Sequence, residues 1–205
     1  LALMRELVTR DGASLLMITH DLAVVAEMAD RVSVMRDGEV VEEGATAAFF
    51  SGMRHPYSRA LLAASTHVPV RRRAGCARPS SLPPAQPQGG QEEPILLAQE
   101  VVRDYRGRRR SLFRAPVKHR AVDGVSLAIR PGESVGLVGE SGCGKSTLAR
   151  TLMALEPPQG GTVLFRGRSF ADFSSADLTA LRRAMQVVFQ DPYGSFDPRH
   201  KAGRL

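Results

Sequence analysis

The sequence predicts an α/β fold organised around a phosphate-binding loop, and three observations carry that prediction. The string Gly139-Glu140-Ser141-Gly142-Cys143-Gly144-Lys145-Ser146-Thr147 fits the pattern G-x-x-x-x-G-K-[ST]. The apolar run Ser134–Val138 leads into it as a strand, and Thr147–Leu155 leads out with helical spacing. Upstream, short apolar strands alternate with helical stretches, as in a parallel sheet covered on both faces.

Leu3, Met4, Leu7 and Val8 recur on one helical face, and Asp11-Gly12 stops that first helix. Ser14-Leu15-Leu16-Met17-Ile18 reads as a buried strand. Asp21 then caps a short helix through about Ala29. Arg31–Met35 and Glu39–Glu42 pair across Asp37-Gly38, a dipeptide that favours the positive backbone angles of a tight hairpin. A further helix is expected from about Tyr57 to Ala64. This first segment runs from Leu1 to about Thr66, and because it begins inside a helix the chain reads as a fragment.

From His67 to Pro94 the composition changes. Six prolines (69, 79, 83, 84, 87 and 94), the pair Gly89-Gly90 and the run Arg71-Arg72-Arg73 leave almost nothing that could enter a core. Residues 67–94 are expected to be a linker. A second domain is expected over residues 95–205. Its strands fall at 95–103, 125–129 and 134–138, with Arg130–Glu133 as a turn between the last two. Beyond the loop and its helix, Thr162–Phe165 reads as a strand, Ala176–Arg183 as a helix, and Met185–Phe189 as a strand ending at Gln190.

The glycines of the loop let backbone N–H groups turn inward around a polyphosphate at a helix N-terminus, where partial positive charge gathers. Lys145 would reach the β- and γ-phosphates, and the Ser146 hydroxyl would ligate Mg²⁺. A nucleoside triphosphate is the expected ligand. A Gly-rich turn without a ligand is the plainer alternative.

Composition narrows the rest. A 43% hydrophobic and 24% charged chain has the balance of a soluble globular protein, and no apolar run reaches the length of a membrane span. The two cysteines, Cys76 and Cys143, form no disulfide framework and lack metal-ligand spacing, which suits a reducing cytoplasm. The net charge of +7 comes mainly from residues 106–120, which hold seven Lys/Arg and no Asp/Glu. A solvated loop is the plain reading of that run, with lipid headgroups or nucleic acid as alternatives. Phe113 is its single aromatic, so a base-stacking platform is not expected.

Together these residues resemble the ATP-binding cassette of ABC transporters, at two different places along the cassette. Residues 95–205 resemble its first half, with Tyr105 at the adenine-stacking position, the Walker A loop at 139–147 and Gln190 at the Q-loop. Residues 1–66 resemble the last part of a preceding cassette, with Ile18-Thr19-His20-Asp21 at the switch histidine. Two strings narrow the family. Phe189-Gln190-Asp191-Pro192-Tyr193-Gly194-Ser195-Phe196-Asp197-Pro198-Arg199 and His55-Pro56-Tyr57-Ser58-Arg59-Ala60-Leu61-Leu62 are similar to segments of the oligopeptide/dipeptide/nickel import ATPases.

The resemblance implies a P-loop NTPase fold with an antiparallel β subdomain, present as two partial cassettes joined by a linker. It implies ATP and Mg²⁺ as cofactors. Tyr105, Gly139, Ser141, Gly142, Cys143, Gly144, Lys145, Ser146 and Thr147 would bind nucleotide, Ser146 and Gln190 the metal, and Gln190 and His20 would act in catalysis. In the family a switch histidine serves the Walker A loop of its own cassette, so His20 and Lys145 are expected in different ATP sites.

The implied function is ATP-driven uptake of di- or oligopeptides, or a related solute such as nickel, at the cytoplasmic face of the plasma (inner) membrane. Its partners would be transmembrane permease subunits and, indirectly, a periplasmic or extracellular solute-binding protein. A cassette dimer would form within a full-length fused chain, and no nucleic acid is expected. A twin-cassette ATPase acting on the ribosome is the alternative. Neither an L-S-G-G-Q-type signature nor a Walker B strand ending in Asp-Glu occurs in the 205 residues, so this chain alone is expected not to hydrolyse ATP. The resemblance weakens over His200–Leu205.

Overall fold

The computed structural model describes residues 2–65, 93–106 and 118–188. The chain forms two compact units, Leu1–Asp172 and Phe173–Leu205. Most of the expected linker, residues 107–117 of the basic run, Gln190 and the string that follows it lie outside the described residues.

In the first unit, α1 (Ala2–Asp11) ends at Gly12, whose φ of 61° is a left-handed stop. β1 (Leu15–Thr19) follows, then α2 (Leu22–Met28). The Asp21 carboxylate caps α2 by accepting the Ala23 N–H at 2.8 Å. β2 (Arg31–Arg36) and β3 (Glu39–Ala45) form the expected hairpin, with φ of 50° at Asp37 and 92° at Gly38. α3 (Thr46–Ser51) was not expected from the sequence, where its six residues are too few for a periodic signal. α4 (Pro56–Ser65) starts on a proline, which needs no N–H partner there.

β4 (Leu96–Arg106) and β5 (Lys118–Ile129) are both longer than their apolar cores suggest. β6 (Ser134–Val138), α5 (Lys145–Leu152), β7 (Gly160–Phe165) and β8 (Arg168–Ser169) complete the unit, with a 3₁₀ turn at Phe170–Asp172.

The strand order places the site. One sheet runs β1-β6-β2-β3, with β6 parallel to both neighbours. Leu15 faces Ser134 and Thr19 faces Val138 along β1, while Arg31 to Val34 face Val135 to Val138 along β2. Every residue of β6 is buried, and Val135, Leu137 and Val138 are fully so. Each such side chain contributes roughly 1.5–3 kcal/mol. The sheet thus joins strands from before residue 66, β1 and β2, to β6 from beyond residue 95. One core on this sheet joins Leu22, Val25, Val32, Val34, Phe49 and Tyr57 to Val138.

A second, antiparallel sheet runs β5-β4-β7-β8, as expected of the β subdomain. α5 packs against β4 and β5.

In the second unit, α6 (Ser175–Ala184) opens with a capping box between Ser174 and Asp177. The strand expected at 185–189 is corrected: Met185–Val188 has no strand structure, and Val188 is 82% exposed. An apolar run becomes a strand only where another strand accepts its backbone, and no such pairing exists at these residues.

Candidate functional site

The loop between β6 and α5 forms the centre of the site, and its local shape follows from its glycines. Gly144 caps α5 at φ 104°, and a Cβ there would come within 2.0 Å of the Ala121 carbonyl oxygen. At Gly139 a Cβ would come within 2.1 Å of the Met35 carbonyl oxygen. Neither place admits a side chain, because backbone oxygens approach the turn closely at both. The first intrahelical bond of α5 runs from the Leu148 N–H to the Gly144 carbonyl at 2.9 Å. The earlier N–H groups of Lys145, Ser146 and Thr147 have no intrahelical acceptor, and together with the helix dipole they favour an anion.

Lys145 is half-buried at the mouth of this turn. Its ammonium donates to the Gly139 carbonyl at 2.8 Å and to the Glu140 carbonyl at 2.6 Å, and lies 3.4 Å from the Cys143 sulfur. Cys143 is buried and Ser146 is exposed at the second position of the helix. A hard cation held by one hydroxyl and by phosphate oxygens fits Ser146 there. Among the described residues no cluster of three His, Cys, Asp or Glu gathers as a metal site of its own.

Three contacts from residues 1–65 wall the loop. Met35 abuts Gly139, as above. The Gly38 N–H donates to the Cys143 carbonyl at 3.0 Å, and the Glu140 N–H donates to the Tyr57 hydroxyl at 3.0 Å. Tyr57 is buried, and the Arg36 guanidinium lies over its ring at 5.1 Å from the centroid. Burial pushes the Tyr57 phenol above its usual pKa, against the opposing pull of the Glu140 amide, so it keeps its proton.

Glu42 holds the turn that presents Tyr57. Its carboxylate accepts the Arg54 N–H at 2.7 Å and the His55 N–H at 3.2 Å, and the Tyr57 N–H donates to His55 Nδ1 at 3.2 Å. Burial raises the Glu42 pKa, but the neighbouring Ser58 hydroxyl and these two amides outweigh it and hold the group below the ordinary carboxylate range. The sequence pointed to His55-Pro56-Tyr57 only as a family-like string. A tyrosine on an apolar face, whose hydroxyl needs a partner, was the physical signal available.

His20 is exposed immediately after Thr19, and Thr19 is the register partner of Val138, the residue before the loop. The parallel pairing of β1 with β6 thus brings the two segments that carry His20 and Lys145 to one sheet end. Tyr105 lies near the end of β4. Its hydroxyl donates to Glu156 at 2.7 Å, and Arg103 covers one face of its ring at 5.2 Å from the centroid. That hydroxyl, with the Arg103 guanidinium, holds Glu156 below the usual carboxylate range. Gln190 lies outside the described residues.

Residues 122–204 match the family model described as ABC transporter. The chain is 40% identical over 216 aligned residues to the "Glutathione import ATP-binding protein GsiA" of Escherichia coli O6:H1, covering 99% of this chain and 34% of that protein. The protein of the same name from Shigella flexneri is likewise 40% identical over 216 residues, with the same coverage of both. The chain thus spans about a third of the length of the curated relatives it matches. A solved structure, the ATP-binding cassette MJ0796 bound to ADP and Pi, aligns with a TM-score of 0.37 at 28% identity, over 43% of this chain and 35% of that one. Among the described residues no helix is long and apolar enough to cross a membrane.

Proposed function

We propose that this chain, whose residues 122–204 match the ABC transporter family model, is part of an importer's ATP-binding subunit, which couples ATP hydrolysis to solute uptake. The observation that carries this reading is the 139–147 loop, with Lys145 at its mouth and the open N-terminus of α5 behind it. Polyphosphate oxygens accept more strongly than neutral carbonyls, so a bound nucleotide would draw N–H donors of the Lys145 ammonium onto its β- and γ-phosphates while one stays on the Gly139 carbonyl. The N–H groups of Ser141, Gly142, Cys143, Gly144, Ser146 and Thr147 would surround the remaining oxygens. His20, at the adjoining strand end, would contact the γ-phosphate, and the Tyr105 ring would stack on adenine. Ser146 and Gln190 would hold Mg²⁺, which when bound neutralises charge on the β- and γ-oxygens.

The relatives' printed name is glutathione import ATP-binding protein, and this supports a small peptide as cargo, with nickel or another solute as the wider class. Permease subunits would be the direct partners at the cytoplasmic membrane face, and a solute-binding protein the indirect one. The sequence order supports two cassettes in a longer protein, with residues 1–66 and 95–205 as neighbouring parts and 67–94 as the linker.

Calorimetric titration with Mg-ATP tests the core of this reading. The parent chain is expected to bind, and Lys145→Ala to weaken binding by about tenfold or more, the loss of charge-assisted hydrogen bonds. Equal affinity of the two proteins would refute it.

A further inference from the structure

We propose that the Tyr57 hydroxyl is a positioning group for the phosphate loop, setting the orientation of the Gly139–Glu140 peptide and through it the place of Lys145. This rests on the nucleotide-site reading given above. A trans peptide points its N–H and its C=O in opposite directions. The N–H of this peptide belongs to Glu140 and is held by Tyr57 at 3.0 Å. Its C=O belongs to Gly139 and receives the Lys145 ammonium at 2.8 Å. One planar unit thus carries the tyrosine contact on one side and the lysine contact on the other.

The peptide needs such a clamp. It follows a glycine, the residue that resists rotation least. If it turned over, the Gly139 carbonyl would leave Lys145 and the Glu140 N–H would face a different surrounding. Tyr57 is well suited to prevent this because it cannot move easily. Its ring is set in the core with Val34, Phe49 and Val138, and Arg36 lies over it. Its backbone is held by His55 Nδ1, and the preceding turn by the two amide bonds to Glu42. A phenylalanine would fill the same space, so the hydroxyl is the part that acts on the loop.

The test uses the whole chain. Mg-ATP affinity by calorimetry, the urea midpoint, and hydrogen exchange at the Glu140 amide by NMR are compared for parent, Tyr57→Phe and Phe49→Leu. Phe49 shares the Tyr57 core but carries no hydroxyl to bond the loop. Tyr57→Phe is expected to weaken Mg-ATP binding by about three- to tenfold, the worth of one hydrogen bond, and to speed exchange at Glu140. Phe49→Leu is expected to lower the urea midpoint and leave affinity within about twofold of the parent, inside the spread of values below the worth of one hydrogen bond. Unchanged affinity in Tyr57→Phe, with a parent that binds, overturns this proposal alone. So does an equal loss in Phe49→Leu, which would mean that core stability rather than the hydroxyl governs the loop. A parent chain that does not bind Mg-ATP overturns the nucleotide reading and this proposal with it.

Discussion

The Glu140 amide and the Tyr57 hydroxyl meet at 3.0 Å across 83 residues of chain. That contact, with those of Met35 and Gly38, means that the phosphate loop takes its shape from residues far upstream of its own strand and helix. Substitutions in residues 31–57 should therefore be felt at the site.

The glycine walls give the plainest case. Gly144→Ala places a methyl group 2.0 Å from a backbone oxygen at a φ that side chains rarely adopt. Backbone must shift, at a cost of at least about 2 kcal/mol. Urea unfolding should show that loss, and Mg-ATP binding should fall with it. A fully stable Gly144→Ala protein would mean that the turn is looser than its contacts indicate.

His20 should distinguish ATP from ADP. It adjoins the loop at the strand end and would meet only a third phosphate. His20→Ala is expected to weaken ATP binding by about threefold or more, the scale of one hydrogen bond, and to leave ADP binding unchanged. Equal effects on both nucleotides would place the histidine away from the γ-phosphate.

Acid should destabilise the chain through two carboxylates. Burial raises the Glu133 pKa, but the Arg31 guanidinium and the Arg130 amide outweigh it, and Glu42 is likewise lowered by the Ser58 hydroxyl and the amides it accepts. A carboxylate whose folded pKa is depressed contributes stability above its unfolded pKa, near 4.3, and loses it as pH falls through the folded value. The thermal midpoint should hold from neutrality to about pH 5 and drop below about pH 4.

Arg31 offers the matching substitution. Its guanidinium pairs with Glu133 at 2.7 Å and also meets Glu43 and the Ala128 carbonyl. Arg31→Gln leaves Glu133, only 14% exposed, with the more distant Arg130 guanidinium at 3.9 Å as its remaining cation. The expected cost is on the order of 2 kcal/mol, and the acid transition should move to higher pH. Pairwise unfolding of parent and variant at pH 7 and pH 4 measures both effects.

Turnover should be absent from the 205-residue chain. His20 and Lys145 share a sheet end, yet no Asp-Glu strand end or L-S-G-G-Q-type string is present to orient water and stabilise transition-state charge. Lacking these is worth several kcal/mol, or several decades in rate. Phosphate release at the buffer rate is the expected result. Mg-dependent hydrolysis lost in His20→Ala would show that the shared sheet end suffices.

Features set by neighbouring residues were legible in the sequence. The 139–147 loop, the Asp37-Gly38 hairpin, the Asp21 cap and the α2, α4 and β6 segments all follow from local spacing and turn chemistry. Met185–Val188 failed for the opposite reason: its apolar run matches a strand, but pairing is supplied by another part of the chain. The lengths of β4 and β5 were also hidden, because their polar ends join the sheet through backbone bonds to each other, such as the pairing of Arg106 with Lys118.

By itself the sequence determined that a polyphosphate loop stands between a buried strand and a helix, since glycine freedom, a lysine and an apolar run suffice for that. Only the tertiary structure decided what surrounds the loop. Strand β6 buries every residue and takes β1 and β2 as its neighbours, although more than 90 residues separate them from it in the chain. That choice places His20 beside the loop and delivers Met35, Gly38 and Tyr57 to its walls. The physical reason is range. Turns and helix caps are decided over a few residues, whereas strand neighbours are decided by which distant apolar edges can bury one another.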